Sequence, residues 1–96
     1  MSPQELRTRF KAYAYRCIRV AEALPVDNIA SSVIKKQLIR SAFSGANNYR
    51  AATRAQSDGQ FLAKLNIALE EVDESLDWLE SISDLRLLPI EKLNLI

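Results

Sequence analysis

Positive charge is the chemical property that the first half of this chain offers most clearly. Residues 1–54 contain ten Lys and Arg against three Asp and Glu, which gives this half a net charge of +7. Because Lys and Arg on helices neutralise phosphates without reading base sequence, a basic face predicts salt-sensitive binding to nucleic acid. Eight of these cations are the candidate nucleic-acid-binding residues: Arg7, Lys11, Arg16, Lys35, Lys36, Arg40, Arg50 and Arg54.

The second half of the chain is acidic. Residues 55–96 carry nine Asp and Glu against three Lys and Arg, a net charge of −6, so the whole chain has a net charge of only +1. Either the two halves neutralise each other, within one fold or between subunits, or the basic half keeps an exposed anion-binding face. Charge complementarity with solvated faces is the simpler of these two interpretations.

Aromatic rings add a possible stacking function to the basic half. Tyr13, Tyr15 and Tyr49 all lie there, and aromatic side chains stack on unpaired bases with little sequence preference. The helical spacing of Tyr13 and Tyr49 also fits an apolar core, and a core position is the better explanation for both of them.

Catalytic and metal-binding chemistry finds little support in the sequence. The chain contains no histidine, which excludes a Ser–His or Cys–His pair and an imidazole metal site. The lone Cys17 falls on an apolar helical stripe, where a cysteine acts as a small core residue. The acidic segment Glu70–Asp77 could hold Mg²⁺, as in all-α nucleotide pyrophosphohydrolases, but the second acidic cluster of such a site is missing. We therefore predict a non-enzymatic protein without a cofactor or a metal site.

The spacing of apolar residues predicts a long first helix. Ser2 is suited to cap it, with Pro3 at the first helical position and Glu5 three residues after the cap. Pro25 ends it, because the residue before a proline is pushed out of helical geometry. Its apolar stripe consists of Leu6, Phe10, Tyr13, Cys17, Val20 and Leu24.

A second helix, capped by Asp27 or Ser31, is predicted to continue through the small-residue stretch "SAFSGANNYRAATRA" at 41–55. Gly45 costs about 1 kcal/mol relative to alanine in a helix interior, so a close contact with another backbone is the expected compensation. Ser and Asn on such a face make interhelical hydrogen bonds more often than they bind ligands. The predicted helix seam is formed by Ser44, Gly45, Asn47 and Asn48. Arg50 and Arg54 are expected to meet Glu70, Glu71 or Glu74, either within one subunit or between subunits.

The third helix is predicted to start at a capping box, Ser57–Gln60. Its heptad stripe is formed by Leu62, Leu65, Leu69, Val72, Leu76 and Leu79. An apolar tail follows, in which Pro89 is placed to open a short last helix. The sequence thus predicts one domain, residues 1–96, folded as an all-α, antiparallel up-and-down four-helix bundle with a short last helix.

Neither a signal peptide nor a membrane span is predicted. No apolar run approaches the ~20 residues that a membrane span needs. A single cysteine excludes an internal disulfide and fits a reducing cytoplasm. We predict a cytoplasmic protein with no membrane partner.

The segment Gln37–Glu80 carries a family resemblance. Its motifs include Arg40–Ala42, Tyr49–Ala52 and Trp78–Glu80, and their order and spacing hold over more than forty residues. The segment resembles the four-helix bundle proteins associated with intervening sequences in bacterial 23S ribosomal RNA genes. The resemblance implies a four-helix bundle that assembles into ring-like homopentamers. Segment 47–51 departs from an Asn-Ile-Ala-Glu-Gly-like segment of many members, so no role of that acidic residue is transferred.

A more distant similarity links this family to the accessory variability determinant of diversity-generating retroelements. That protein is a basic pentamer that binds a reverse transcriptase and nucleic acid. The resemblance therefore implies three kinds of partner: further copies of the chain, RNA or DNA, and a nucleic-acid-processing protein. The alternative is a protein–protein assembly scaffold whose basic and acidic halves serve only self-association.

Overall fold

The structure is a computed structural model that describes residues 1–89. In that range the chain forms three α-helices and no strand: α1 spans Pro3–Ala23, α2 spans Ile29–Thr53 and α3 spans Asp58–Asp84. The all-α class is confirmed. The described part holds three helices rather than the predicted four, so the four-helix bundle is not supported. The predicted short last helix would open at Pro89, the last described residue, and the rest of it, 90–96, lies outside the described residues.

Side-chain caps fix where α1 and α3 begin. The Ser2 hydroxyl accepts a hydrogen bond of 3.1 Å from the Glu5 backbone N–H, and the Ser57 hydroxyl accepts one of 3.1 Å from the Gln60 N–H. Each bond satisfies a backbone donor that has no partner inside the helix. Both helix starts agree with the capping-box spacing of the sequence.

The start of α2 corrects the sequence-based prediction. The side-chain oxygen of Asn28 accepts a hydrogen bond from the Ser31 N–H at 2.9 Å, so the cap is Asn28 rather than Asp27 or Ser31. Asn28 has the extended backbone that a capping residue needs to reach over the first turn. Ser31 is consequently inside the protein, and its hydroxyl has no hydrogen-bond partner among the described residues.

Helix α2 lies between α1 and α3 and packs against both. The connections at 24–28 and 54–57 are short, so neighbouring helices run antiparallel. Near the start of α1, the Phe10 ring stacks on Tyr49 of α2 with centroids 4.7 Å apart and planes 13° apart. The buried core consists of Ala14, Cys17, Val20, Ala21, Leu24, Ile34, Leu38, Ala42 and Ile82.

A partly buried hydrogen bond ties α1 to α3. The hydroxyl oxygens of Tyr13 and Ser75 are 2.6 Å apart. Since Ser75 donates its own proton to the Val72 carbonyl oxygen, also at 2.6 Å, the Tyr13 hydroxyl is the donor to Ser75. Burial raises the pKa of Tyr13 well above its usual value, although the hydrogen bond to Ser75 acts in the other direction. The phenol therefore stays protonated and keeps its role as donor.

The contact face of α3 differs from the predicted heptad stripe. Small side chains are buried on the inner face of α3 at Ala68 and Ser75, whereas three heptad leucines are exposed. We call these three residues the leucine stripe; their exposed fractions are 55% for Leu62, 53% for Leu69 and 45% for Leu76. The close approach of α2 and α3 leaves room only for small side chains between them, which turns the larger leucines outward.

None of the helices in residues 1–89 combines the length and the apolar character that crossing a membrane requires.

Candidate nucleic-acid interface

A small cleft between α1 and α2 gathers three of the predicted cations. Arg7 and Lys11 line it from α1, and Arg50 lines it from α2. Its floor is formed by Ala14 and Ala46, whose short side chains are buried and leave space between the two helices. The volume of the cleft is about 80 Å³. We call this site the basic cleft.

Polar and aromatic side chains complete the lining of the basic cleft. Asn47 contributes an exposed amide beside Arg50, while Tyr15 and Phe43 line the cleft from α1 and α2. The two rings meet edge to face, with centroids 6.4 Å apart and an interplanar angle of 71°. This contact holds the Tyr15 ring in place while 45% of the residue stays exposed.

Helical periodicity explains why these residues meet. Arg7 and Lys11 are four residues apart, and so are Lys11 and Tyr15, which places all three on one face of α1. On α2, Asn47 and Arg50 are three residues apart and share a face in the same way. The antiparallel contact of the two helices then sets the faces opposite each other.

The cations of the basic cleft carry uncompensated charge. Within residues 1–89, no ion pair is formed by Arg7, Lys11 or Arg50. The amide of Asn47 likewise has no hydrogen-bond partner in this part of the chain. Three positive charges and a free amide donor around one small space favour an anion.

An open groove on α1 continues from the basic cleft. It has a volume of about 360 Å³ and shares Arg7, Lys11 and Tyr15 with the cleft. Gln4, Thr8 and Ala12 line the rest of it. An extended ligand can therefore pass from the cleft along α1 without leaving positively charged surface. We call this surface the α1 groove.

Arg40 has a different environment from the cations of the cleft. Its guanidinium pairs with Glu71 at 3.0 Å and with Glu74, both on α3, and it also donates to Gln37 at 2.9 Å. The Trp78 indole N–H donates to the same Glu74 carboxylate at 3.0 Å. The cation that meets the acidic face of α3 within the subunit is thus Arg40, where the sequence suggested Arg50 and Arg54.

The remaining predicted cations lie away from the basic cleft. Arg16 is nine residues after Arg7, or two and a half helical turns, so it lies on the opposite side of α1. Lys36 lies fourteen residues before Arg50, about 21 Å along α2, with Lys35 beside it. Arg54 is exposed one turn beyond Arg50 and lines a separate shallow groove with Lys64.

The predicted seam residues separate into two groups. Gly45 is buried between α2 and α3, and Asn48 and Ser44 are half-buried beside it. The Asn48 amide donates to the Ser44 carbonyl at 2.9 Å and to the Ser44 hydroxyl at 3.2 Å, so these bonds stay within α2 rather than crossing between helices. Asn47 points instead into the basic cleft.

The remaining candidates are the acidic side chains, considered as metal ligands, and the Cys17 thiol. In residues 1–89, no group of three or more Cys, Asp and Glu side chains is arranged to hold a metal ion. Cys17 is fully buried, and burial raises the pKa of its thiol, which disfavours the reactive thiolate.

Sequence reasoning missed the parts of the cleft that carry no charge. Ala14 and Ala46 make the space, yet an alanine in a helix gives no signal of a cavity. Phe43 positions Tyr15, and only the pairing of α1 with α2 brings these two rings together. Tyr15 itself was suggested by its type, since an aromatic residue off the core stripe is suited to stacking.

Comparison with known proteins adds one finding. The family model described as 23S rRNA-intervening sequence protein matches residues 5–96. No curated protein and no solved structure matches the chain significantly.

Proposed function

The chain belongs to the 23S rRNA-intervening sequence protein family, and from this premise we propose that it is a non-enzymatic accessory protein that binds RNA through the basic cleft. The observation that carries the proposal is the convergence of Arg7, Lys11 and Arg50, from two helices, on one small space. None of the three is used in an ion pair within the described residues. Free cations that converge are a better phosphate site than the same number scattered over a surface.

The mechanism of binding is neutralisation of phosphates. Each cation that contacts a phosphate releases counterions from the nucleic acid, so affinity falls as salt rises. Such contacts position a protein on the backbone and carry no sequence information. The basic cleft lies between α1 and α2 and is lined by no residue of α3. Two of the acidic side chains of α3, Glu71 and Glu74, are paired with Arg40.

Self-association through α3 forms the second part of the proposal. The leucine stripe lines up along one side of α3, with its members seven residues apart and about half exposed. An exposed apolar line of this kind is suited to pack against a second copy in coiled-coil fashion. The family resemblance favours a homopentamer. A ring of copies repeats the basic cleft, so modest affinity at each site adds up to avidity for a long RNA.

A scaffold without nucleic-acid binding is the alternative function. The leucine stripe favours it, because it offers an apolar surface for protein contacts that needs no RNA. A nucleic-acid-processing protein is a further partner that either function accommodates. The two functions differ in the role of the cations of the basic cleft, which bind RNA in the first and bind no ligand in the second.

Fluorescence anisotropy of a labelled structured RNA, titrated with the protein at two salt concentrations, tests the proposal. Three cations at the RNA predict that affinity falls about twenty- to fortyfold between ~50 and ~200 mM salt. Replacing Arg7, Lys11 and Arg50 together by Gln should abolish most of this salt dependence. Replacing Arg40 by Gln is the matched control and should change affinity less than about twofold, because its charge is already compensated. A protein that ignores RNA at the lower salt would leave only the scaffold.

A further inference from the structure

The basic cleft suits a phosphate group in both charge and space. About 10–15 Å³ of such space admits one water molecule, so a cleft of about 80 Å³ has room for a group of several polar atoms. The oxygens of a phosphate group can accept hydrogen bonds from Arg7, Lys11 and Arg50 together. The charge of the cleft therefore selects an anion, and its space accommodates a phosphate.

The α1 groove determines which part of a bound strand lies next to the phosphate in the basic cleft. The α1 groove begins at the cleft and shares Tyr15 with it. A chain that leaves the cleft by this route passes the half-exposed Tyr15 ring. Because the edge-to-face contact with Phe43 already fixes that ring, little conformational entropy is lost when a base stacks on it.

From these observations we propose that the basic cleft and the α1 groove bind an unpaired strand of nucleic acid, with one phosphate in the cleft and the adjoining base stacked on Tyr15. This inference rests on the proposed function and deepens it, since it names single-stranded rather than duplex nucleic acid as the ligand of the same site.

Duplex nucleic acid fits this arrangement poorly. The phosphates of a duplex can touch Arg7, Lys11 and Arg50 from outside, but its bases are stacked inside the helix and cannot reach Tyr15. An unpaired strand presents phosphate and base independently, and base–aromatic stacking then adds to the electrostatic attraction. The cations set the salt dependence of binding, and Tyr15 sets the preference for unpaired bases.

Paired variants at position 15 separate stacking from packing. Tyr15→Leu keeps an apolar side chain against Phe43 and removes the aromatic face, whereas Tyr15→Phe keeps the face and removes only the hydroxyl. Because the position is half-exposed, both variants are expected to fold, and circular dichroism with thermal unfolding checks this. The probes are a labelled 12-nucleotide single strand and the duplex of the same sequence.

The expected result has three parts. The unchanged protein binds the single strand more tightly than the duplex. Tyr15→Leu weakens single-strand binding about tenfold and duplex binding less than twofold. Tyr15→Phe binds the single strand to within about threefold of the affinity of the unchanged protein. Equal affinity for both probes, or equal effects of Tyr15→Leu on both, would overturn this inference and leave phosphate binding at the cleft intact. Failure of both probes to bind at low salt would instead remove the proposed function itself.

Discussion

Gly45 of α2 lies so close to Val72 of α3 that a Cβ atom added at position 45 would stand 2.8 Å from the valine Cγ2. The same Cβ would be 3.4 Å from the Ala68 carbonyl oxygen, which belongs to the backbone and cannot turn aside. The absence of a side chain at Gly45 is therefore what lets α2 and α3 approach each other, and it accounts for a glycine in the middle of a 25-residue helix.

Substitution Gly45→Ala is expected to destabilise the protein. Alanine gains about 1 kcal/mol in helix propensity, but overpacking against Val72 costs about 1–3 kcal/mol, so the free energy of unfolding should fall by up to about 2 kcal/mol. Urea denaturation measures the change. In the double variant Gly45→Ala/Val72→Ala the contact is absent, and the two effects should fail to add by about 1 kcal/mol or more. Additive effects would mean that the two residues do not meet.

Alkaline pH is expected to destabilise the fold through Tyr13 and Cys17. Burial raises the pKa of both groups, so the folded protein keeps protons that the unfolded chain loses. Stability from these groups is fully present below the ordinary pKa values of about 8.5 for Cys and 10 for Tyr, and it is lost as pH rises above them. Each group can contribute a slope of up to about 1.4 kcal/mol per pH unit.

The measurement for this prediction is the free energy of unfolding between pH 8 and pH 11. The double variant Tyr13→Phe/Cys17→Ala should start less stable, because the Tyr13–Ser75 hydrogen bond is gone, and should lose less stability as pH rises. Parallel curves for the variant and the unchanged protein would show that neither group is protected from ionisation.

Arg86 offers a site where stability can be increased. It has a φ of 54°, in the left-handed region that favours glycine. Its backbone N–H donates to the Ser83 carbonyl oxygen, and the backbone N–H of Leu87 donates to the Ile82 carbonyl oxygen. These two bonds close the end of α3 in a Schellman motif. Arg86→Gly should raise the free energy of unfolding by about 0.5–1 kcal/mol. Glu70→Gly, at an exposed position in the interior of α3, is the control and should lower it by about 0.5–1 kcal/mol.

The helices could be predicted from the sequence more completely than the candidate site. Ser2 and Ser57 each stand three residues before a Glu or a Gln, so the capping-box spacing placed the starts of their helices correctly. Before α2, three capping residues crowd the connection, and only the backbone conformation of Asn28 decides among them. Residue type alone identifies the candidate cations. The sequence does not show which of these cations form ion pairs with a neighbouring helix.

The basic cleft depends on long-range register. Which residues of α1 face Asn47 and Arg50 is set by the Phe10–Tyr49 stack and by the depth to which Ala14 and Ala46 let the helices approach. Helical periodicity within one segment cannot supply that pairing. The same limit explains why the heptad pattern of α3 does not coincide with its contact face, since the space beside Gly45 depends on how α2 and α3 pack together.

The leucine stripe gives the last prediction, which concerns assembly. In a monomer, exposed residues tolerate substitution within about 0.5 kcal/mol, so the triple variant Leu62→Gln/Leu69→Gln/Leu76→Gln would be nearly neutral. If the stripe packs against another copy, the same variant loses a buried apolar surface and dissociates. We expect light scattering to show an oligomer for the unchanged protein and a folded monomer for the triple variant.

A matched control and the concentration dependence make this test decisive. Ile67 is also partly exposed, but it lies two residues before Leu69 and therefore faces a different side of α3. Ile67→Gln should leave the oligomer intact. The melting temperature of the unchanged protein should rise with protein concentration, because association stabilises the folded state by mass action, and that of the triple variant should not. A monomer at every concentration of the unchanged protein would contradict self-association, and the avidity argued for RNA binding would fail with it.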